Sequence, residues 1–149
     1  MFSRILVAVD GSEHSMRAVE LASDLAEKYG ADLILLSVFR PTRLQESTHS
    51  LVRTNLSLEP QHSDDALQGV AEEVLQAAEK VARSHDIPKV KTKVKRGHPA
   101  RTIVSTAEEH EADVIVLGSR GHGDVTGLLL GSVSHKVASL AKCNVITVK

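Results

Sequence analysis

The chain has 149 residues, of which 42% are hydrophobic, 25% charged and only 2% aromatic, with a formal net charge of −1. That length predicts one domain spanning 1–149, with a core packed by Val, Leu, Ile and Ala. The near-neutral balance, without a clustered basic field, argues against nonspecific nucleic-acid binding.

The single thiol, Cys143, excludes an internal disulfide and points to a reducing, cytoplasmic setting. Apolar runs such as Leu33 to Leu36 and Val114 to Leu117 are far shorter than the ~18 to 20 residues of a membrane span, so no membrane insertion is expected. Arg4 followed by Ile5 to Val9 is cut short by Asp10 and reads as a strand rather than a secretory segment.

In chain order, β-branched runs alternate with stretches of helical period, the pattern of repeated β-α units around a parallel sheet. Strand one is Ile5 to Val9, followed by a helix with Ala18, Ala22, Leu25, Ala26 and Tyr29 on one face and Gly30 at its end. Strand two is Leu33 to Val38. The polar stretch from Arg40 to Ser63 is long for a connection and reads either as a lid or as an insertion. A second helix is expected from Asp64 or Asp65 to about His85, with Leu67, Val70, Ala71, Val74, Ala78, Val81 and Ala82 at apolar positions.

Strand three, Val90 to Lys95, alternates with Lys89, Lys91, Lys93 and Lys95, as a charge-protected edge would. Gly97 and a first-position Pro99 open a helix striped by Ala100, Ile103, Val104 and Ala107. Strand four is Val114 to Leu117. A last helix carries Val133, Val137, Leu140 and Ala141, and Val145 to Val148 forms strand five. The fold class is therefore α/β, an open twisted five-stranded parallel sheet with helices on both faces, for which the order 3-2-1-4-5 is expected. Strand five lacks charge protection, so Val145, Ile146 and Val148 are expected at a homodimer edge.

The chemistry concentrates after strand four. Gly118-Ser119-Arg120-Gly121 is followed, after nine residues, by Gly131-Ser132 at the start of the last helix. Phosphate oxygens need close backbone N–H groups, which glycine permits, and the positive end of a helix, which Ser132 to Ser134 supplies. Open parallel sheets bind ligands where strand order reverses, which here places Asp10 opposite Gly118.

This Gly-x2-Gly-x9-Gly-Ser spacing resembles the nucleotide loop of the ATP-binding universal stress proteins. The opening Ile5-Leu6-Val7-Ala8-Val9-Asp10-Gly11-Ser12, the Gly97-His98-Pro99-Ala100 turn and Gly131-Ser132-Val133-Ser134 share the resemblance, which covers nearly the whole chain. It implies a flavodoxin-like fold and an adenine nucleotide, ATP with Mg or Mn, as the ligand. By the same resemblance Asp10 lies near the ribose or a phosphate-bound metal, Val38 and its neighbours line the adenine, and Gly118, Arg120, Gly121, Gly131, Ser132 and Val133 hold the phosphates. Ala8, Val9, Leu117, Ser119 and Ser134 complete the expected site.

The chain lacks the GxxxxGK[ST] stretch of P-loop NTPases and shows no residue poised as a base, so a regulatory binding module is expected rather than a vigorous ATPase. The competing reading is a dimeric interaction module of the same family that binds no nucleotide. None of the eight histidines stands in a metal-binding motif, and His98 and His122 border the expected crevice. Cys143 is read as a small apolar residue.

Overall fold

The computed structural model describes residues 1–41, 60–122 and 130–149, the side chains of 60–63 excepted. The elements are β1 (Arg4–Ala8), α1 (Glu13–Tyr29), β2 (Asp32–Phe39), α2 (Pro60–Ala82), β3 (Val90–Arg96), α3 (Pro99–Glu109), β4 (Val114–Gly118), α4 (Ser132–Leu140) and β5 (Asn144–Val148). The strands form the parallel sheet that the alternating pattern predicts, in the expected order β3-β2-β1-β4-β5.

The three central strands are near-continuous apolar runs because both of their faces are covered. On one face Ile5, Val7, Leu33, Leu35, Val114 and Val116 pack against Ala18, Val19, Ala22 and Ala26 of α1 and Leu75, Ala78 and Ala82 of α2. On the other, Leu6, Ile34, Leu36, Ile115 and Leu117 meet Ala100, Ile103 and Ala107 of α3 and Val137 of α4. Each fully buried Leu or Ile side chain contributes about 1.5 to 3 kcal/mol. Alanine on the helices lets them lie close to the sheet, which replaces the aromatic packing that this composition cannot supply.

One expected boundary shifts, and some residues at helical spacing lie outside the core. The second helix starts at Pro60, within the stretch read as a connection, because the apolar period that marks it in sequence begins only at Leu67. The rest of that connection, and with it the lid reading, falls on 42–59, outside the described residues. Tyr29, Val70 and Leu140 sit at helical spacing yet are exposed. Tyr29 meets Phe2 edge-on, with ring centroids 5.4 Å apart.

The two sheet edges differ as their sequences suggest. β3 carries Lys91, Lys93 and Lys95, and Lys95 pairs with Glu109 at 2.7 Å. β5 carries Val145, Ile146 and Val148, all half-buried, with Thr147 exposed between them.

Candidate functional site

The carboxyl ends of β1 and β4 lie side by side, with Ala8 in register with Leu117, so the residues that follow each strand open onto the same crevice. A cavity of about 250 Å³ occupies it.

On the β1 side, Asp10 leads into a tight turn. The Ser12 amide donates to Asp10 Oδ1 at 2.9 Å, and Ser12 then caps α1 by accepting the Ser15 N–H at 3.3 Å. Between them Gly11 adopts φ 84°, a left-handed conformation, and a side chain there would also come within 3.0 Å of Val74 on α2. Asp10 is thus both a turn residue and a cavity residue. Burial alone would raise its carboxyl, but hydrogen bonds from Ser12 and Ser15 and the nearby His122 ring outweigh that and hold it below the usual aspartate range. The group stands ionised at the solvent-facing mouth.

On the β4 side, Gly118 is dictated by packing. A Cβ at this position would lie 2.8 Å from the carbonyl carbon and Cβ of His14 and from the Ser15 nitrogen, so α1 can approach the strand only over a glycine. The next residue, Ser119, is 1% exposed and fully engaged. Its N–H donates to the Val148 carbonyl at 2.7 Å, and its carbonyl accepts from the Gly131 amide at 2.6 Å and from Ser134 Oγ at 2.8 Å. Its hydroxyl lies 2.9 Å from His14 Nδ1.

The loop is thereby pinned at both ends, and α4 begins at the cavity wall. Gly131 occupies its N-cap without a side-chain hydrogen bond to the first turn, and the first intrahelical bond runs from the His135 amide to the Gly131 carbonyl at 3.0 Å. The Ser132, Val133 and Ser134 amides therefore have no intrahelical acceptor, and all three residues line the cavity.

The structure brings Ala8, Val9, Asp10, Val38, Leu117, Gly118, Arg120, Gly121, Ser132, Val133 and Ser134 to one cavity. It does not bring Ser119 or Gly131 to the wall. The Ser119 hydroxyl turns toward His14, and Gly131 is buried as the cap of α4. Ser134 reaches the wall with its hydroxyl already donated to the Ser119 carbonyl, so it braces the loop rather than offering a free donor. Residues 123–129, within the nine-residue interval of the glycine motif, lie outside the described residues.

Sequence reasoning did not assign Leu36, Arg40, Pro99 and Ile103 to the site, yet they form its wall. The signal for two of them is present: Leu36 and Val38 share one face of β2, and Arg40 continues that alternation one residue past its end. Arg40, Pro99, Ser132 and Val133 also border a neighbouring cavity of about 390 Å³, where Arg101 and Lys136 add positive charge beside His98. The wall thus combines an aliphatic set, Leu36, Val38, Ile103 and Leu117, with the start of α4, Arg40, Arg120 and His122. Such a cavity can take a ligand with a flat apolar part and an anionic part.

Over residues 1–149 the sequence matches the profile of the universal stress protein family. The chain belongs to that family. Universal stress protein YxiE of Bacillus subtilis is 35% identical over 153 aligned positions, covering 100% of both chains. Among solved structures, universal stress protein UspA from Lactobacillus plantarum superposes with a TM-score of 0.82 at 29% identity, covering 99% of this chain and 97% of that one. A universal stress protein in complex with cAMP matches with a TM-score of 0.73 at 25% identity, covering 99% of this chain and 97% of that one. These neighbours share the flavodoxin-like fold. Among the described residues, no helix is long and apolar enough to cross a membrane.

Proposed function

We propose that this universal stress protein binds an adenine nucleotide, ATP with a divalent cation, in the cavity between β1 and β4, and that it acts as a regulatory module rather than a vigorous ATPase. The observation that carries the reading is the tip of α4. Its first-turn amides have no intrahelical acceptor, and the residues that carry them line the same cavity as Arg120 and the ionised Asp10. A helix start of this kind favours phosphate through its amides and its dipole. The aliphatic wall residues, Val38 among them, suit the adenine face. The solved relative in complex with cAMP supports the adenine class.

The donor set fits a phosphate-bound Mg²⁺. Such an ion takes most of its oxygens from phosphate and water and needs only one or two carboxylates, and Asp10 is an ionised carboxylate at the mouth. Asp10 would hold the ion, Arg120 and the amides of Ser132 and Val133 the phosphate oxygens, and bound Mg²⁺ would neutralise phosphate charge. Among the described cavity residues, Asp10 is the only carboxylate, and a group that binds the ion is poorly suited to activate water. This supports slow turnover at most.

The bare β5 edge supports a homodimer. Among the described residues its outer edge has no strand partner, and Val145, Ile146 and Val148 retain partial exposure.

Isothermal titration with MgATP, together with mass spectrometry of small molecules released from the purified protein, tests the nucleotide reading. Saturation at one hundred times Kd stabilises the fold by ~2.7 kcal/mol, a rise of roughly 5 to 11 °C in Tm for a domain of this size. An unchanged Tm in millimolar MgATP and the absence of released nucleotide would instead favour a dimeric interaction module.

A further inference from the structure

Outside the cavity, the last turns of α1 meet the turn that ends α2. Asp24 and Glu27 stand three residues apart on one face of α1. His85 follows α2 in a turn fixed by two backbone bonds, from its own N–H to the Ala82 carbonyl at 3.1 Å and from the Ile87 N–H to its carbonyl at 3.0 Å. Its ring is largely covered, with 20% of the side chain exposed. Nδ1 lies 3.1 Å from Glu27 Oε2 and 3.5 Å from Asp24 Oδ1, and all three donor atoms fall within 4.8 Å of one another.

Those separations match a coordination polyhedron. Tetrahedral zinc with bonds of ~2.0 to 2.1 Å has donor-to-donor edges of roughly 3.3 to 3.4 Å. Two edges are therefore in place, and the third closes by a small movement of Asp24, whose side chain is 70% exposed. The Asp86 N–H donates to the other Glu27 oxygen, Oε1, at 3.0 Å. It orients the carboxylate toward His85, as outer hydrogen bonds do around bound metals.

Charge points the same way. Among the described residues, neither Asp24 nor Glu27 is paired with a lysine or arginine, so two carboxylates converge on one imidazole. With a neutral ring the cluster carries a net negative charge that a divalent cation complements. A mixed nitrogen and oxygen donor set suits zinc-class ions rather than Mg²⁺ or Ca²⁺, which prefer oxygen alone.

We propose that Asp24, Glu27 and His85 form a zinc-class cation site that ties α1 to the end of α2, with water completing the coordination. The tie acts on a helix that backs the nucleotide cavity, since Val74 of α2 lies over Gly11 beside Asp10.

The test uses untagged, metal-stripped full-length protein without nucleotide, so its outcome is independent of the nucleotide reading. Zn²⁺ is titrated in competition with a chromophoric chelator into the wild type, His85→Gln and the double variant Asp24→Asn/Glu27→Gln. The wild type should take up one more Zn²⁺ per chain than either variant, and Zn²⁺ should raise Tm only in the wild type. Replacing a ligand should weaken this binding by more than the roughly 10- to 100-fold that loss of an outer partner costs. Co²⁺ should give the visible bands of a four-coordinate ion, absent from His85→Gln. Equal stoichiometry and affinity in all three proteins, or no uptake by the wild type, would overturn the site and leave an ion-paired histidine. Should His85→Gln lose its fold, the double variant, which keeps side-chain shape on an exposed helix face, decides.

Discussion

His14 Nδ1 lies 2.9 Å from Ser119 Oγ, which joins the first turn of α1 to the loop that leaves β4, across a separation of 105 residues in sequence. Ser119 also binds β5 through its amide and the start of α4 through its carbonyl. One serine therefore sets the position of four elements around the cavity without facing it.

Loss of either partner of this pair should destabilise the protein unequally. Ser119→Ala removes one hydrogen bond and leaves a half-buried imidazole with access to water, for about 0.5 to 1.5 kcal/mol. His14→Ala strands a hydroxyl on a residue that is 1% exposed, for about 1 to 3 kcal/mol. Urea unfolding of both single variants and the double variant measures the coupling, and strict additivity would show that the contact contributes nothing.

Two glycine-to-alanine changes should have opposite signs. Gly118→Ala forces a methyl group to 2.8 Å from the backbone of His14 and Ser15, an overpacking that costs about 1 to 3 kcal/mol. Gly69→Ala, inside α2 and with no described heavy atom within 4 Å of the added carbon, should stabilise by about 0.5 to 1 kcal/mol. The comparison of their Tm values separates close approach from helix propensity.

Acid should expose two carboxylates. Asp113 is held below the usual range by the Arg4 and Ser3 amides, at 2.8 and 2.6 Å, and Asp10 by the Ser12 and Ser15 hydrogen bonds that outweigh its burial. A depressed folded-state pKa gives stability that is present above the unfolded value of about 3.9 and lost as pH falls through the folded value. Asp113→Asn and Asp10→Asn should each flatten the fall of the urea midpoint below about pH 4. A slope identical to the wild type in both variants would remove these groups from the acid response.

At the ligand site, Asp10→Asn should weaken MgATP binding while leaving binding in excess EDTA little changed, because the carboxylate acts through the cation. Arg120→Ala should weaken ATP by roughly 10- to 100-fold, the scale of a charge-assisted hydrogen bond, and adenosine hardly at all. Calorimetry with the two ligands checks both. An equal loss for adenosine and ATP would show that Arg120 does not address phosphate.

Association through β5 is best tested at Thr147. Ile146 and Val148 pack on the α1 and α2 side of the core and Val145 on the other, so charges there disturb folding, whereas Thr147 is exposed. Thr147→Lys should move the protein toward the monomer in sedimentation velocity with its Tm kept within about 2 °C, as expected of a surface change. An unaltered sedimentation coefficient for a dimeric wild type would place the interface elsewhere.

Sequence and structure agree most closely where a residue has one physical role. Ile5, Leu35 and Val116 are core residues by pattern and by burial, the parallel sheet follows from alternation, and the lysines of β3 mark it as an edge. Agreement fails where aliphatic spacing is broader than the buried stripe. Val70 fits the helical period, but Ala71, Leu75, Ala78 and Ala82 fill the contact with the sheet and leave it 58% exposed. The start of α2 is invisible to apolar periodicity because its first residues are polar. In the site, Asp10, Gly118 and Ser132 are legible from strand ends and the helix start. Ser119 is not, since the direction of its hydroxyl depends on α1, which is remote in the chain.

The unlike margins of the sheet bear on how copies of this protein can assemble. A ribbon with two adhesive borders would recruit further copies without limit, as fibrils do. Here lysines guard one border, leaving a single joinable seam, and a seam that can only meet its own likeness closes by twofold rotation. Were copies to join through β5, growth by strand pairing would therefore terminate at a pair.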